Sequence, residues 1–239
     1  LHAVAVVKAG VFAILKVTVY IFGIDLVGGS TTSTALLWVA ALTIIGASLV
    51  ALYQDNLKRR LAYSTISQLS YVVLGAVLAN AASISGAAVH IATHAVGKIT
   101  LFFCAGAILV AAHKTRVSEL DGLGRQMPLT MGAFLIASLS IAGLPPMGGL
   151  WGKWYLALGA LDAGYGILVG VLMLSTLLNI AYLLPIPLRA FFGQSSKTAV
   201  QFSEAPLPCL VAIGITTAAC ITLFFFPGPV YQLASMLIP

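Results

Sequence analysis

Two histidines and a lysine stand four residues apart inside an apolar run, HIATHAVGKIT (His90–Thr100). An α-helix turns about 100° per residue, so His90, His94 and Lys98 share one helix face. Histidine titrates near neutral pH and can pass on a proton, and burial disfavours the charged form of a lysine. The spacing therefore indicates proton transfer. Taken singly, either histidine is also explained by a hydrogen bond to a neighbouring helix.

A second polar stripe occurs in LAYSTISQLSYVV, upstream of the histidines. Ser64, Ser67, Gln68 and Tyr71 follow the helical spacing i, i+3, i+4 and i+7, which places them on one side of a helix. Hydroxyls and an amide in this arrangement can hold a file of water, or they can form ordinary hydrogen bonds between helices. The sequence leaves both readings open, and the first predicts that the stripe lines a channel.

A third feature is the stretch GLPPMGGLWGKW, which no continuous helix tolerates. Pro145, Pro146, Gly148 and Gly149 predict a helix break, because proline removes a backbone donor and clashes with the preceding turn. Irregular backbone at membrane depth lines a cavity or is buried in protein, and interrupted helices point to transport sites. Lys153 follows the break, where a buried ammonium group is costly and indicates a function.

Every ionisable group predicted to lie within the membrane is basic. The six carboxylates are placed in loops or at span ends: Asp25, Asp55, Glu119, Asp121, Asp162 and Glu204. We expect a proton relay from the polar stripe through His90, His94 and Lys98 to Lys153, with its acidic counter-charge supplied by a missing N-terminal portion or by another subunit. A zinc site at the two histidines is disfavoured, since no acidic or thiolate ligand is near. No metal and no cofactor are expected.

The composition is that of a membrane protein. Of 239 residues, 60% are hydrophobic and 8% charged, against about 25% charged in soluble domains. Several apolar stretches reach the roughly 20 residues that cross a bilayer as a helix. Seven spans are predicted, at residues 1–23, 33–53, 61–79, 84–112, 129–161 with the break, 164–188 and 206–226. The cysteines (Cys104, Cys209, Cys220) have no paired spacing and are expected to pack as small apolar residues.

Basic residues in the connections predict the orientation. The connections after the second, fourth and sixth spans contain Lys58, Arg59, Arg60, Lys114, Arg116, Arg125, Arg189 and Lys197, whereas those after the first, third and fifth contain neither Lys nor Arg. The positive-inside rule places the first set in the cytoplasm. The N-terminal end is then cytoplasmic and the C-terminus lies on the far side of a prokaryotic-type inner membrane. The net charge of +6 reflects topology, and nucleic-acid binding is not expected.

Three segments together resemble a known family. DNLKRRLAYSTISQLSYVVLG, HIATHAVGKITLFFCAGAI and SIAGLPPMGGLWGKWYL are similar to the signature helices of the antiporter-like membrane subunits of respiratory complex I, membrane-bound hydrogenases and Mrp-type sodium/proton antiporters. The family fold has fourteen core helices with two inverted five-helix repeats, each holding a broken helix. The resemblance implies that the seven spans here are the last seven.

The resemblance also implies roles for individual residues. Lys98 would be the central proton-carrying lysine and Lys153 the exit lysine. Lys58 would lie at the cytoplasmic entrance, and Lys8 in the region that links two half-channels. The glutamate and lysine pair of the family's first repeat and its Pro-Thr-Pro-Val-Ser run have no counterpart in this sequence, and LHAVAVVKAGVF at its start resembles the family's segment that follows that run.

The sequence thus predicts an all-α polytopic bundle. Residues 1–23 form a linking helix, 33–188 a five-helix second repeat that contains the broken helix 129–161, and 206–226 a C-terminal helix. The predicted function is proton translocation as a component of a multisubunit Mrp cation/proton antiporter, similar to its D subunit and in contact with other membrane subunits and the lipid bilayer. The alternatives are a proton-pumping subunit of complex I or a hydrogenase, and a truncated fragment without autonomous transport. No motif for redox chemistry is present in the chain itself.

Overall fold

The computed structural model describes residues 5–193 and 202–238, and in these ranges the chain is almost wholly helical. Its α-helices in chain order are α1 (Val7–Lys16), α2 (Ile24–Gly28), α3 (Thr31–Tyr53), α4 (Leu57–Leu78), α5 (Ala81–Ala112), α6 (Pro128–Ala142), α7 (Gly149–Asp162), α8 (Gly166–Leu183), α9 (Pro185–Phe192), α10 (Leu207–Phe225) and α11 (Gly228–Ser235). A π-helix, Val17–Phe22, continues α1, and two short 3₁₀ turns precede α6.

Five of the helices are long and apolar enough to cross a membrane: Thr31–Tyr53, Leu57–Leu78, Ala81–Ala112, Gly166–Phe192 (α8 with α9) and Leu207–Phe225. Each coincides with a predicted span, with ends that differ by a few residues. The fifth predicted span is divided into α6 and α7. The first predicted span, residues 1–23, is helical from residue 5 to Phe22, and its helical geometry changes from α to π at Val17. Helix α11 was not predicted.

Side chains at the helix ends explain why the long helices begin where they do. The Asn56 Oδ1 accepts from the backbone N–H of Arg59 at 3.0 Å and so caps α4. Asn80 and Ser83 form a reciprocal capping box at the start of α5, with the Ser83 N–H 2.8 Å from the Asn80 Oδ1. These contacts satisfy backbone donors that have no partner within the helix.

The connections that carry the basic residues meet at one end of the bundle, which we name the basic end. The Leu57 N–H donates to the Thr115 carbonyl at 2.9 Å, and the Val117 N–H donates to the Asp55 carbonyl at 2.7 Å. Arg189 pairs with Asp121 at 2.8 Å. The charged connections predicted to share one side of the membrane are therefore neighbours in the fold. Lys197 lies outside the described residues.

Helix α5 is the centre of the bundle and packs against α4, α6, α7 and α10, while α3 covers α4 and α8. Two buried apolar clusters fill the interior. The basic-end cluster includes Leu57, Leu61, Leu101, Cys104, Met127 and Ile186. The far-end cluster includes Leu37, Leu74, Ile84, Leu156, Leu168 and Leu172. The chain stretches between these two clusters hold most of the buried polar side chains of α3, α4, α5 and α8.

Candidate functional site

A polar layer separates the two apolar clusters. On α3, α4, α5 and α8, most buried polar residues occur between the residues that belong to one cluster and those that belong to the other, whereas Ser33, Ser83 and Ser85 lie near the starts of α3 and α5. Tyr71 and Tyr182 belong to the clusters at the edges of this layer. We define the layer by Ser48, Ser64, Ser67, Gln68, Tyr71, His90, His94, Lys98, Ser175, Thr176, Asn179 and Tyr182, together with Lys153 from α7. Lys98 is fully buried and Lys153 is 8% exposed, so neither ammonium group extends into solvent.

The ammonium group of Lys98 forms hydrogen bonds with residues in the first half of α4. Its Nζ donates to the Leu61 carbonyl at 3.0 Å and makes a short contact with the Ser64 Oγ. Ser64 in turn donates to the same Leu61 carbonyl at 3.1 Å. The ammonium group is thus held by a hydroxyl and a backbone carbonyl. Neutral partners of this kind can hold a lysine in either protonation state, whereas a carboxylate would favour the charged state.

Three aromatic rings form a row beside Lys98. The rings of His90 and His94 are stacked with centroids 5.6 Å apart, and Tyr71 stacks on His90 at 5.2 Å. All four imidazole nitrogens and the Tyr71 hydroxyl are buried without a hydrogen-bond partner among the described residues. Buried polar atoms in native proteins are bonded to protein groups or to ordered water. The row therefore fits a site that accommodates water.

Lys153 occupies the helix break. Its Nζ donates to the Ala142 carbonyl at 2.9 Å and to the Thr176 Oγ1 at 3.3 Å, and it lies 5.4 Å from the centre of the Tyr71 ring. Ala142 is the last residue of α6, where carbonyls lack intrahelical partners and the helix dipole favours a cation. The break thus creates the acceptor that Lys153 uses.

The break itself spans residues 143–148. Pro145 and Pro146 lie within it, Gly148 precedes α7 and Gly149 is its first residue. Gly143 has a φ of +79°, and a Cβ there would lie 2.9 Å from the Lys153 Cδ. Glycine therefore permits both the left-handed turn and the passage of the lysine side chain.

The stripe predicted on α4 faces two directions. Ser64 contacts Lys98. Tyr71 belongs to the row of stacked rings. The buried Gln68 amide atoms have no hydrogen-bond partner among the described residues. Ser67 instead pairs with Ser48 of α3 at 2.8 Å and donates to the Ile44 carbonyl at 2.9 Å. For Ser67, the structure shows the hydrogen bond between helices, which was the second reading of the stripe.

Two further lysines that the sequence predicts to take part in proton transfer, Lys8 and Lys58, lie at the edge of the polar layer or outside it. Lys8 is 6% exposed on α1, which packs against α4 and α5. Lys58 is exposed in the first turn of α4 at the basic end. The structure therefore brings Lys8 to the edge of the polar layer and leaves Lys58 outside it.

Sequence reasoning missed the contribution of α8. We name as the α8 row its four polar residues Ser175, Thr176, Asn179 and Tyr182. Their spacing of one, three and three residues places them on one helix side. This pattern was visible in STLLNIAYL, but it consists of neutral side chains in a very apolar span.

The acidic residues remain at the surface of the bundle or at helix ends. Glu204, for example, accepts from the Thr130 hydroxyl at 2.7 Å and from the Leu129 N–H at 2.7 Å, at the start of α6. Within residues 5–193 and 202–238, no three His, Cys, Asp or Glu side chains come together in a way that could hold a metal ion. The described part of the polar layer has hydroxyls, amides and imidazoles around its lysines.

Comparison with known proteins identifies the family. The family profile described as NADH:quinone oxidoreductase/Mrp antiporter, TM, matches residues 1–179. The chain belongs to this family. It is accordingly a multi-pass integral membrane protein, in agreement with its five membrane-length helices. The resemblance inferred from the three signature segments is confirmed.

Two relatives from different kinds of assembly align with this chain. The N subunit of NADH-quinone oxidoreductase from Desulforudis audaxviator is 41% identical over 179 residues, which are 75% of this chain and 36% of that protein. The D subunit of the Na⁺/H⁺ antiporter from Alkalihalophilus pseudofirmus is 33% identical over 226 residues, or 94% of this chain and 45% of that protein. The chain spans about half or less of the length of these relatives.

Solved structures of family members share the fold. A chain of the Mrp complex from Dietzia sp. superposes with a TM-score of 0.86 at 21% identity, over 96% of this chain and 50% of that one. A chain of respiratory complex I from Thermus thermophilus gives a TM-score of 0.79 at 22% identity, over 97% and 50%. Both are parts of multisubunit membrane complexes.

Proposed function

We propose that this chain translocates protons as an antiporter-like subunit of a multisubunit membrane complex. The observation that carries the proposal is a pair of buried lysines, Lys98 and Lys153, joined across a membrane-depth polar layer by the stacked row of Tyr71, His90 and His94. Costly intramembrane cations mark ion pathways and proton relays. Imidazoles with free nitrogens can accept a proton on one side and release it on the other.

The path that we propose begins at the basic end and ends beyond the helix break. Lys98, held by Ser64, receives a proton from the cytoplasmic side, and the histidine row passes it towards Lys153. Lys8 would connect this path to a neighbouring half-channel, and Lys58 would attract protons to the cytoplasmic entrance. Residues 33–188 would constitute one repeat of the family's inverted pair, flanked by the linking helix 1–23 and the C-terminal helix 206–226.

Such a relay needs a negative charge that lies near the protonated lysines in one conformational state and stabilises them. In another state this charge is farther away, and the lysines release their protons. We propose that a membrane glutamate supplies this charge from an adjacent subunit or segment of the complex. The neutral surroundings of Lys98 support this proposal, because a hydroxyl and a backbone carbonyl leave room for a lysine to change charge as the external carboxylate approaches or retreats.

The assembly that we propose is an Mrp-type cation/proton antiporter, in which this chain would occupy the place of the D subunit. The alignment with the Alkalihalophilus antiporter protein over 94% of this chain supports it. The 41% identity to the N subunit of an NADH-quinone oxidoreductase favours a second candidate, a proton-pumping subunit of that oxidoreductase. Affinity purification of the chain from its native membrane, followed by mass spectrometry of its partners, separates the two. Flavin or iron–sulfur subunits among the partners would exclude the antiporter.

The proposed relay is tested with Lys98→Ala and Lys153→Ala in membrane vesicles that contain the assembled complex. We expect proton transport to fall by at least about a hundredfold in each variant, because either substitution removes a carrier with no substitute nearby. Lys16→Ala is the matched control. Lys16 is an exposed lysine of an apolar helix, near the Phe12 and Tyr20 rings, and its loss should leave transport unchanged. Wild-type rates in correctly assembled Lys98→Ala and Lys153→Ala complexes would refute the proposed function.

A further inference from the structure

The α8 row connects the surroundings of the two buried lysines by a route that avoids the histidines. At one end of the row, Thr176 accepts a hydrogen bond from Lys153 at 3.3 Å. At the other end, the Tyr182 hydroxyl lies beside the hydroxyl of Ser64, the side chain to which Lys98 donates. One end of the row therefore binds Lys153 directly, and the other end lies beside the hydroxyl that binds Lys98.

Tyr182 is fixed in place by contacts at both of its ends. It is fully buried, and its hydroxyl donates to the Asn179 Oδ1. Its backbone carbonyl accepts from the Arg60 Nη1 at 3.0 Å, and the Arg60 Nε also donates to the Gln54 carbonyl at 2.7 Å. Arg60 thus holds the ends of α3 and α8 together at the basic end, and the phenol of Tyr182 is buried next to this junction.

The middle of the row has polar atoms with unused hydrogen-bonding capacity. The Asn179 Nδ2 and the Ser175 Oγ are buried and have no hydrogen-bond partner among the described residues, and the same is true of the nearby Tyr71 hydroxyl and Gln68 amide. An apolar packing surface would not place these groups together, because an unsatisfied buried polar atom lowers the stability of the fold. Water bound along the row would satisfy them.

We propose that the α8 row is a second proton-transfer route between Lys98 and Lys153, in which the Tyr182 hydroxyl links Ser64 to the water-binding groups of Asn179 and Ser175. The phenol oxygen accepts a proton from Ser64 while the phenol's own proton passes to a water molecule held by the Asn179 Nδ2 and the Ser175 Oγ, so Tyr182 does not have to ionise. Asn179 orients the phenol and takes up no proton. The inference rests on the proposed function, since it concerns the path between the same two lysines.

The test uses Tyr182→Phe, which removes the hydroxyl and keeps the ring, in vesicles that contain the assembled complex. We expect proton transport to fall by about twofold, because the histidine row still connects the two lysines. Tyr53→Phe is the matched control, because Tyr53 is 83% exposed on α3, and it should transport at the wild-type rate. Asn179→Leu is a second, similarly sized variant that removes the phenol's acceptor, and it should lower transport in the same way if Tyr182→Phe does not assemble.

A double-variant cycle with Ser64→Ala distinguishes a route from a packing defect. If Ser64 and Tyr182 act in series, adding Tyr182→Phe to Ser64→Ala lowers transport no further. Losses that multiply would overturn the inference, because independent structural effects add in free energy. Wild-type transport by both Tyr182→Phe and Asn179→Leu would also overturn it. If Lys98→Ala and Lys153→Ala abolish transport in that same series, the proposed function stands without the α8 row.

Discussion

Arg60 shows how one side chain can align two helices. Its guanidinium donates to three backbone carbonyls, those of Leu52 at 3.4 Å, Gln54 at 2.7 Å and Tyr182 at 3.0 Å. The first two lie at the end of α3 and the third near the end of α8, where carbonyls have lost intrahelical donors. A planar group with five donors suits this geometry, and a lysine does not reproduce it.

The contacts of Arg60 predict the cost of a conservative change. Arg60→Lys should lower the free energy of unfolding by about 1–3 kcal/mol, because at least one carbonyl loses a charge-assisted hydrogen bond. Thermal unfolding of the detergent-solubilised complex measures this loss. Arg59→Lys, at an exposed neighbouring position, should unfold like the wild type. Wild-type stability of Arg60→Lys would mean that the basic charge alone matters at this position.

Sequence reasoning at the residue scale identified charged groups better than neutral ones. Lys98 and Lys153 were conspicuous, since a cation is rare in an apolar helix, and both are buried in the polar layer. Arg60 was interpreted only as a signal of orientation, because its partners are backbone carbonyls that no side-chain pattern reveals. The sequence left Ser67 between a channel wall and a hydrogen bond to a neighbouring helix, because the direction of a serine depends on the position of α3, which the sequence of α4 does not contain.

At the scale of the helices, the close packing of α5 against α7 brings the two lysine-bearing segments together. A Cβ on Gly152 would lie 2.8 Å from the His90 Cα, and a Cβ on Gly86 would lie 2.7 Å from the Leu156 backbone nitrogen. Small residues permit such close approach between membrane helices. The distance between the histidine row and Lys153 therefore depends on two glycines.

This packing predicts that Gly152→Ala damages both stability and transport. The added methyl group has to push α5 and α7 apart, which should cost roughly 1–3 kcal/mol of unfolding free energy and displace Lys153, one residue later, from its partners. Gly170→Ala on α8 is the control, since no atom lies within 4 Å of a Cβ there. The measurements are thermal unfolding and proton transport in vesicles. Normal transport by Gly152→Ala would show that the relay tolerates a wider separation.

Hydropathy and helix-breaking residues predicted the long helices well, because a bilayer leaves few alternatives for an apolar stretch. Which helices pack against each other was harder to predict from the sequence. The α8 row went unrecognised since its span has a mean hydropathy of 2.3, and four neutral polar residues hardly change that average. The π-helix at Val17–Phe22 and the short α11 have no comparable local signal and depend on the packing around them.

At the scale of the whole molecule, hydrogen bonds between the connecting segments hold the basic end together. The Asp55 carboxylate accepts from the Ser118 N–H at 2.9 Å and from its Oγ at 2.8 Å. These bonds to the charged form lower the pKa of Asp55 below its ordinary value of 3.8. A carboxyl with a lowered pKa stabilises the fold above its unfolded pKa, and this contribution is lost as the pH falls through the folded value.

The expected pH dependence can be measured with Asp55→Asn. At neutral pH the variant should be less stable than the wild type by roughly 0.2–1 kcal/mol, the range for an exposed charged contact. The difference should shrink as the pH falls below 3.8, where the wild-type carboxyl also becomes neutral. Thermal unfolding in detergent between acid and neutral pH gives both values, and a difference that stays constant with pH would rule out a role for the charge.

The order of the two apolar clusters and the polar layer between them decides where a membrane voltage falls. Packed aliphatic side chains have a low dielectric constant, whereas a layer of ammonium groups, imidazoles and hydroxyls is far more polarisable. The electric field is therefore concentrated across the clusters and is weak within the layer. One charge that crosses 100 mV involves about 2.3 kcal/mol of work, and most of it is done at the two clusters. They behave as two capacitors in series, so a cluster that becomes conducting transfers its share of the voltage to the other.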